Sequence, residues 1–208
     1  RAEDEPKVAV PAGARPRERW LREHEAARLL ANCHAAHVRL FVALALHTAA
    51  RSGAILDLTW DRVDLEAQRI DMGDAEGNKG RAVVPISAAL LPALAEARDA
   101  RTGTHVIETP GGKAVQSIKT GFKAACRRAG LVGVTPHTLR HTSATWMALA
   151  GVPMRDISHY LGHSSGGVTE AVYAKHHPDY LGSAAAALSK AFPVPLAQET
   201  NLGRKRKA

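Results

Sequence analysis

The chain has 208 residues and carries 28 Lys and Arg against 20 Asp and Glu, a net charge of +8. That length suits one domain with room for a short extension, and a hydrophobic share of 45% excludes a wholly disordered chain. No apolar run approaches the ~20 residues of a membrane span, the charged start at residues 1–6 is unlike a signal peptide, and Cys33 and Cys126 form no close pair, which points to a reduced, cytoplasmic setting. With only 4% aromatic residues, the core is expected to consist mostly of Ala, Leu and Val on helices. The basic balance favours a polyanionic partner, most simply nucleic acid.

Residues 1–19 hold Pro6, Pro11 and Pro16 without an apolar period and read as a linker or arm. Helices are expected over 23–32, over 37–49 with Val38, Phe41, Val42, Ala45 and Ala49 on one face, and over 52–56. The β-rich stretch follows: 60–64, then 69–72, a Gly-rich loop at 73–80, and 81–86, three short strands that make a small antiparallel sheet. Ser87 is the expected cap of a helix reaching Ala100. After a loop at Pro110, Gly111 and Gly112 comes a basic helix. Its Lys119, Lys123 and Arg127 recur every fourth residue, while Ile118, Phe122, Ala125 and Ala129 form an apolar stripe. That row is either a candidate contact for DNA phosphates or an ordinary solvated face.

Thr135-Pro136 marks a strong helix start, with a stop at Gly151. Pro153 opens the next helix, which ends at Leu161-Gly162, and a loop at 164–167 precedes a short helix holding Tyr173. Pro178 is expected to open a last, Ala-rich helix that Pro193 closes, leaving 193–208 as a basic tail with Arg204, Lys205, Arg206 and Lys207 together. The fold class is α+β, mainly α, with one small three-stranded antiparallel sheet.

Charge is uneven along this order. Residues 101–150 hold 7 basic and 1 acidic side chains, whereas 51–100 hold 6 and 9. The basic block contains the densest chemical signal, His137-Thr138-Leu139-Arg140-His141. On a helix, Leu139, Ser143, Trp146 and Ala150 share one stripe, and His137, Arg140 and His141 project from the opposite side. A histidine and an arginine one turn apart near a helix N-terminus suit a phosphate oxyanion. The His137/His141 spacing also fits metal ligation, but Thr138 stands where a zinc-protease helix carries Glu, so no metal is expected.

Four segments in order complete a pattern: 48–60 around Arg51, Asn78-Lys79-Gly80-Arg81 before Val83-Val84-Pro85, the His137–Arg140 helix, and Leu161-Gly162-His163 followed by Val172-Tyr173-Ala174. Together they resemble the catalytic domain of tyrosine recombinases, the phage integrase family, over about residues 21–181. The resemblance implies the fold of the DNA breaking–rejoining enzymes. It assigns Arg51 and Arg140 to clamp the scissile phosphate, with His137 and His163 as the family's two histidines. Lys79 then protonates the leaving 5′-oxygen, and Tyr173 is the nucleophile that forms a 3′-phosphotyrosyl link. Tyr160 and Tyr180 are expected to pack, His141 to buttress the site, and Arg81 is a weaker substitute for Lys79.

The chemistry is consistent with elementary requirements. A phenol with a pKa near ~10 needs a proton acceptor, and guanidinium groups hold the charge of a phosphorane-like transition state. The tyrosyl link keeps the phosphodiester's energy, so neither ATP nor a metal cofactor is expected. The sequence has no Gly-x-x-x-x-Gly-Lys-Ser/Thr loop. Two positions depart from the family: Ala49 replaces its usual glycine and Ala54 its usual acidic residue, with Asp57 a candidate substitute for the latter.

The alternatives are type IB topoisomerase-like relaxation, which His137 opposes because those enzymes carry lysine there, a decayed DNA-binding module, and a metal-dependent nuclease. The resemblance further implies double-stranded DNA as partner, a homo-oligomer (a tetramer) on DNA, and no membrane. It also implies a bacterial or phage mobile element acting at the nucleoid, and a preceding DNA-binding domain absent from residues 1–19. Residues 20–192 are then the catalytic domain, in which 183–192 either docks on a neighbouring protomer or packs in cis.

Overall fold

Proline and glycine punctuate the helices of the computed structural model, which describes residues 19–73, 82–163 and 166–191. The expected arm, Lys79, Arg81 and the basic tail lie outside the described residues. Helices α1 (Glu23–Ala31), α2 (Ala36–Thr48) and α3 (Ser52–Leu56) come first. Leu40 and Leu44 are buried in α2 together with Val38, Phe41, Val42 and Ala45, so this helix is enclosed on most sides rather than on the single face its pattern implies. Its enclosure makes it the axis of the molecule, and α6 (Pro136–Leu149) packs along it.

The start of α6 is fixed by local chemistry. Pro136 occupies the first turn, and Thr135 and Thr138 exchange hydrogen bonds: the Thr138 hydroxyl accepts from Thr135 N at 3.0 Å, and the Thr135 hydroxyl from Thr138 N at 3.4 Å. Along its length, Ser143 Oγ donates to Leu46 O at 2.7 Å and Trp146 Nε1 to Leu21 O at 3.0 Å. Leu21 N in turn donates to Thr142 Oγ1 at 2.9 Å. These bonds tie α6 to α2 and to the segment entering α1.

The sheet is smaller than its sequence implies. Strands β1 (Val63–Asp64), β2 (Arg69–Asp71) and β3 (Val83–Pro85) run antiparallel in the order β1-β2-β3, with Val63 opposite Ile70 and Ile70 opposite Val84. Those three residues point into the core. Residues 60–62 form a 3-10 turn instead of strand, because Trp60 N is taken by Thr104 O and Arg62 N by Thr59 O. Ser87 does not cap the next helix. Its hydroxyl is engaged by His47 Nδ1 at 2.8 Å, its carbonyl accepts from Leu90 and Leu91, and α4 (Leu91–Asp99) starts later. Helix α5 (Lys119–Arg128) buries Phe122 and Ala125, with Ile118 and Ala129 buried at its two caps. It lies so close to α2 that a Cβ on Gly121 would stand 2.6 Å from Val38 Cγ2.

Helix α7 (Met154–Leu161) ends at Gly162, whose φ of 63° breaks the helix and turns the chain toward α8 (Gly166–Tyr173). A second, small core of Ala49, Ala144, Ala148, Ile157, Leu161 and Tyr173 joins α2, α6, α7 and α8. The last helix, α9 (Gly182–Ala191), begins after a turn at 177–181 rather than at Pro178, since Tyr180 N bonds His177 O and Gly182 N bonds Asp179 O. Tyr180 is therefore exposed and not a packing residue. Residues 182–190 are exposed throughout, so among the described residues this stretch of the helix shows no cis-packed face.

Candidate active site

Arg140 organises the site from inside. The expected outward projection of this side chain is corrected by the structure: α7 and α8 cover that face of α6, and Arg140 is only 5% exposed. Its Nη1 donates to Ala49 O at 2.7 Å, and its Nη2 donates to Leu161 O at 2.7 Å and to His163 Nε2 at 2.9 Å. The two carbonyls belong to the C-terminal ends of α2 and α7, groups that helices leave unsatisfied and that carry partial negative charge. The guanidinium thus exchanges its water for two helix ends. Burial first, and then the nearby Arg51 charge, lower its pKa to about 10, so it stays charged at neutral pH.

The partner end of α2 explains one departure in the sequence. Ala49 has φ 51° and ψ 19°, the left-handed region where glycine costs nothing and alanine about 1 kcal/mol. This turn presents Ala49 O to Arg140 and brings Arg51, two residues on, to the N-cap of α3. The alanine methyl is fully buried in the small core, and burying one methyl offsets strain of about that size. Ala54 is buried in the main core, and Asp57 lies exposed at the end of α3, where its carbonyl accepts from Arg62.

The remaining site residues gather around this pair. Because an arginine only donates, His163 Nε2 must accept, so Nδ1 carries the proton and donates to Thr169 Oγ1 at 2.8 Å. Both ring nitrogens of His163 are thereby engaged. His137 sits on the first turn of α6, an exposed residue whose ring is still partly shielded from water and near Arg140 and Arg51. Burial, then Arg140, then Arg51 push the pKa of both histidines below the usual value, which favours their neutral forms. Tyr173 is 7% exposed at the end of α8. Burial raises its phenol pKa and Arg140 partly opposes this. Its hydroxyl lies 3.0 Å from His141 Nδ1, with the two rings tilted at 43°. Tyr160 packs as expected and donates to His47 O at 2.7 Å, which fixes α7 on α2.

The structure therefore brings together Arg51, His137, Arg140, His163 and Tyr173. Three supports escape sequence reading: Thr169 under His163, and the carbonyls of Ala49 and Leu161. Gly162 was the available signal for the last, since a helix that ends there leaves the Leu161 carbonyl seeking a donor.

The profile of the phage integrase family matches residues 19–179. The chain belongs to this family. It is 29% identical over 165 residues to the integrase of Salmonella phage P22, covering 72% of this chain and 42% of that one. It is 35% identical over 153 residues to the tyrosine recombinase XerA of Thermococcus onnurineus, covering 70% and 53%. The catalytic domain of bacteriophage HP1 integrase superposes with a TM-score of 0.62 at 26% identity, covering 85% of this chain and 98% of that one. The chain spans about half the length of the relatives it matches in sequence.

In this family member the row Lys119, Lys123 and Arg127 lies on the exposed side of α5. It borders an open groove of about 1000 Å³, shared with the loop of residues 130–134 that leads into Thr135 and α6. Among the described residues no group of three or more His, Cys, Asp or Glu could hold a metal ion, and no helix is long and apolar enough to cross a membrane.

Proposed function

We propose that this chain is the catalytic domain of a site-specific recombinase, an integrase that cuts and rejoins double-stranded DNA through Tyr173, with residues 20–192 as the domain. Arg140 is the observation that carries this reading. A buried guanidinium anchored by three of its five N–H groups is oriented before any ligand arrives, and the others are left for phosphate oxygens. Arg51 supplies the second cation. Tyr173 Oη attacks the scissile phosphorus as the bond to the 5′-oxygen breaks, giving a 3′-phosphotyrosyl ester and a 5′-hydroxyl protonated by Lys79. Attack of a 5′-hydroxyl on the ester reverses the step, so the energy of the bond is retained without ATP.

The row on α5 contacts phosphates beside the cut, and the basic 193–208 segment adds attraction at longer range. Assembly on DNA is as a homo-oligomer, a tetramer at full occupancy. The exposed faces of α9 support this, since its residues 182–190 are all exposed. The setting is a bacterial or phage mobile element at the nucleoid.

The test uses a library of nicked duplexes with randomised core sequence, incubated with the protein in EDTA and resolved by denaturing electrophoresis. A protein–DNA adduct is expected with the parent chain and none with Tyr173→Phe. An adduct that survives this substitution removes Tyr173 as nucleophile.

A further inference from the structure

Tyr173 is buried and its phenol holds its proton more tightly than usual, so attack on phosphorus needs an acceptor within reach. The site holds three candidate histidines. His163 is excluded as built, because Arg140 occupies its Nε2 and its Nδ1–H is given to Thr169. His137 is an exposed residue on the first turn of α6, and among the described residues its ring makes no hydrogen bond to Tyr173. His141 is one turn further along the same face, half-buried, with Nδ1 3.0 Å from Tyr173 Oη. That separation is within hydrogen-bonding range.

Resting on the proposed recombinase function, we infer that His141 is the residue that takes the proton from Tyr173 during cleavage and returns it during rejoining. In the forward step the Oη–H bond breaks and an Nδ1–H bond forms, while an oxygen electron pair makes the new P–O bond. The P–O5′ bond breaks and its pair leaves with the 5′-oxygen, which a separate donor protonates. In the reverse step the proton moves from Nδ1 back to Oη.

The surroundings set when this transfer occurs. The fixed charges on the elements packed around His141 are mostly cationic, with Arg140 on its own helix, Arg51 at α3 and Lys175 in the turn after Tyr173, whereas His137 and His163 favour their neutral forms and Glu170 on α8 is exposed. Asp156, on α7, is exposed in the helix's first turn, at the end away from Leu161 and Arg140. A positive ring beside these cations is unfavourable until a phosphate brings negative charge. Tyr173 therefore stays protonated in the free protein and becomes nucleophilic when DNA occupies the site.

His141→Asn places an amide oxygen where Nδ1 stood, so it can accept the phenol's hydrogen bond but cannot hold a proton. With the duplexes that react with the parent chain, single-turnover adduct formation is followed from pH 5.5 to 9. The expected result is a fall of ~10²-fold or more near neutrality, with loss of the acidic limb of the pH–rate profile. A rate within about threefold of the parent with that limb retained overturns the inference and leaves His141 a positioning residue. Long-range proton–nitrogen NMR on the parent protein gives an answer even if the variant folds poorly. An unprotonated Nδ1 is expected, and a protonated Nδ1 donating to Tyr173 overturns the assignment. An adduct that persists in Tyr173→Phe defeats the recombinase site itself. An adduct that disappears in Tyr173→Phe but is undiminished in His141→Asn defeats only the proton-acceptor role.

Discussion

Arg140 and the row on α5 carry the same sign of charge in opposite surroundings. Arg140 is enclosed and fixed by the carbonyl ends of two helices and by His163. Lys119, Lys123 and Arg127 stand in solvent on a helix whose other face fills the core. The cost of taking a cation out of water is met at Arg140 by permanent dipoles that do not have to reorganise when a phosphate binds. The exposed row bears none of that cost, and salt screens its charges. In the proposed recombinase the first region acts on a bond and the second attracts a strand.

The sharpest way to break this contrast is to change Arg140. Arg140→Lys keeps the charge but not the fork that spans Ala49 O and Leu161 O, and adduct formation is expected to fall ~10²–10³-fold. Arg140→Met leaves both carbonyls buried without a donor, at an expected cost of about 2–4 kcal/mol in urea unfolding. Lys123→Met on the exposed row is expected to change stability by no more than about 0.5 kcal/mol. Equal stability of the two Met variants would mean that the helix ends do not need Arg140.

The second prediction works from the other side. Replacing Lys119, Lys123 and Arg127 together by Gln should leave unfolding unchanged and weaken binding to a duplex of arbitrary sequence. The slope of log affinity against log salt, followed by fluorescence anisotropy, is expected to flatten by about 0.9 for each phosphate that the variant no longer neutralises. Arg140→Lys should leave that slope near its parent value. A triple variant with an unaltered slope would make the row an ordinary solvated face.

Sequence reading reached different depths in the two regions. The α5 row and its buried stripe follow from a period of four, and the start of α6 from Thr135-Pro136, because both are local. The same is true of Gly162 as the end of α7. The enclosure of Arg140 is not local. It depends on Ala49 and Leu161, 91 and 21 residues away in the chain, being brought to the same spot by the packing of α2 and α7 on α6. The motif singled out Arg140 but placed it on an open face. Ser87 misled for a related reason, since its hydroxyl had a tertiary partner, His47, which a capping rule does not see. Likewise the contact between His141 and Tyr173 joins two helices, and spacing within either one carries no trace of it.

The smallest expected effect is on the pH dependence of stability, and it separates the regions once more. His163 accepts a hydrogen bond from Arg140 and must be neutral to do so, and burial followed by the charges of Arg140 and Arg51 lowers its pKa below 6.5. Between that lowered value and 6.5 the unfolded chain binds more protons than the folded one, so stability rises with pH across this window. It is fully developed above about pH 6.5 and is lost as pH falls toward the folded pKa. Glu25 does not contribute there. The hydrogen bond from Arg19 holds its carboxyl down at about 2, against 4.5 in the unfolded chain, so it is ionised in both states above about pH 5. His47 and His137 share the direction of His163, so the slope belongs to all three. His163→Gln keeps an acceptor without a titrating ring and is expected to flatten the fall in urea midpoint between pH 7.5 and 5.5 by one share. Substituting the α5 row should leave this profile unchanged, because those side chains stand in solvent on a helix that carries none of the three rings. A His163→Gln profile as steep as the parent's would mean that the neutral ring beside Arg140 is not coupled to folding.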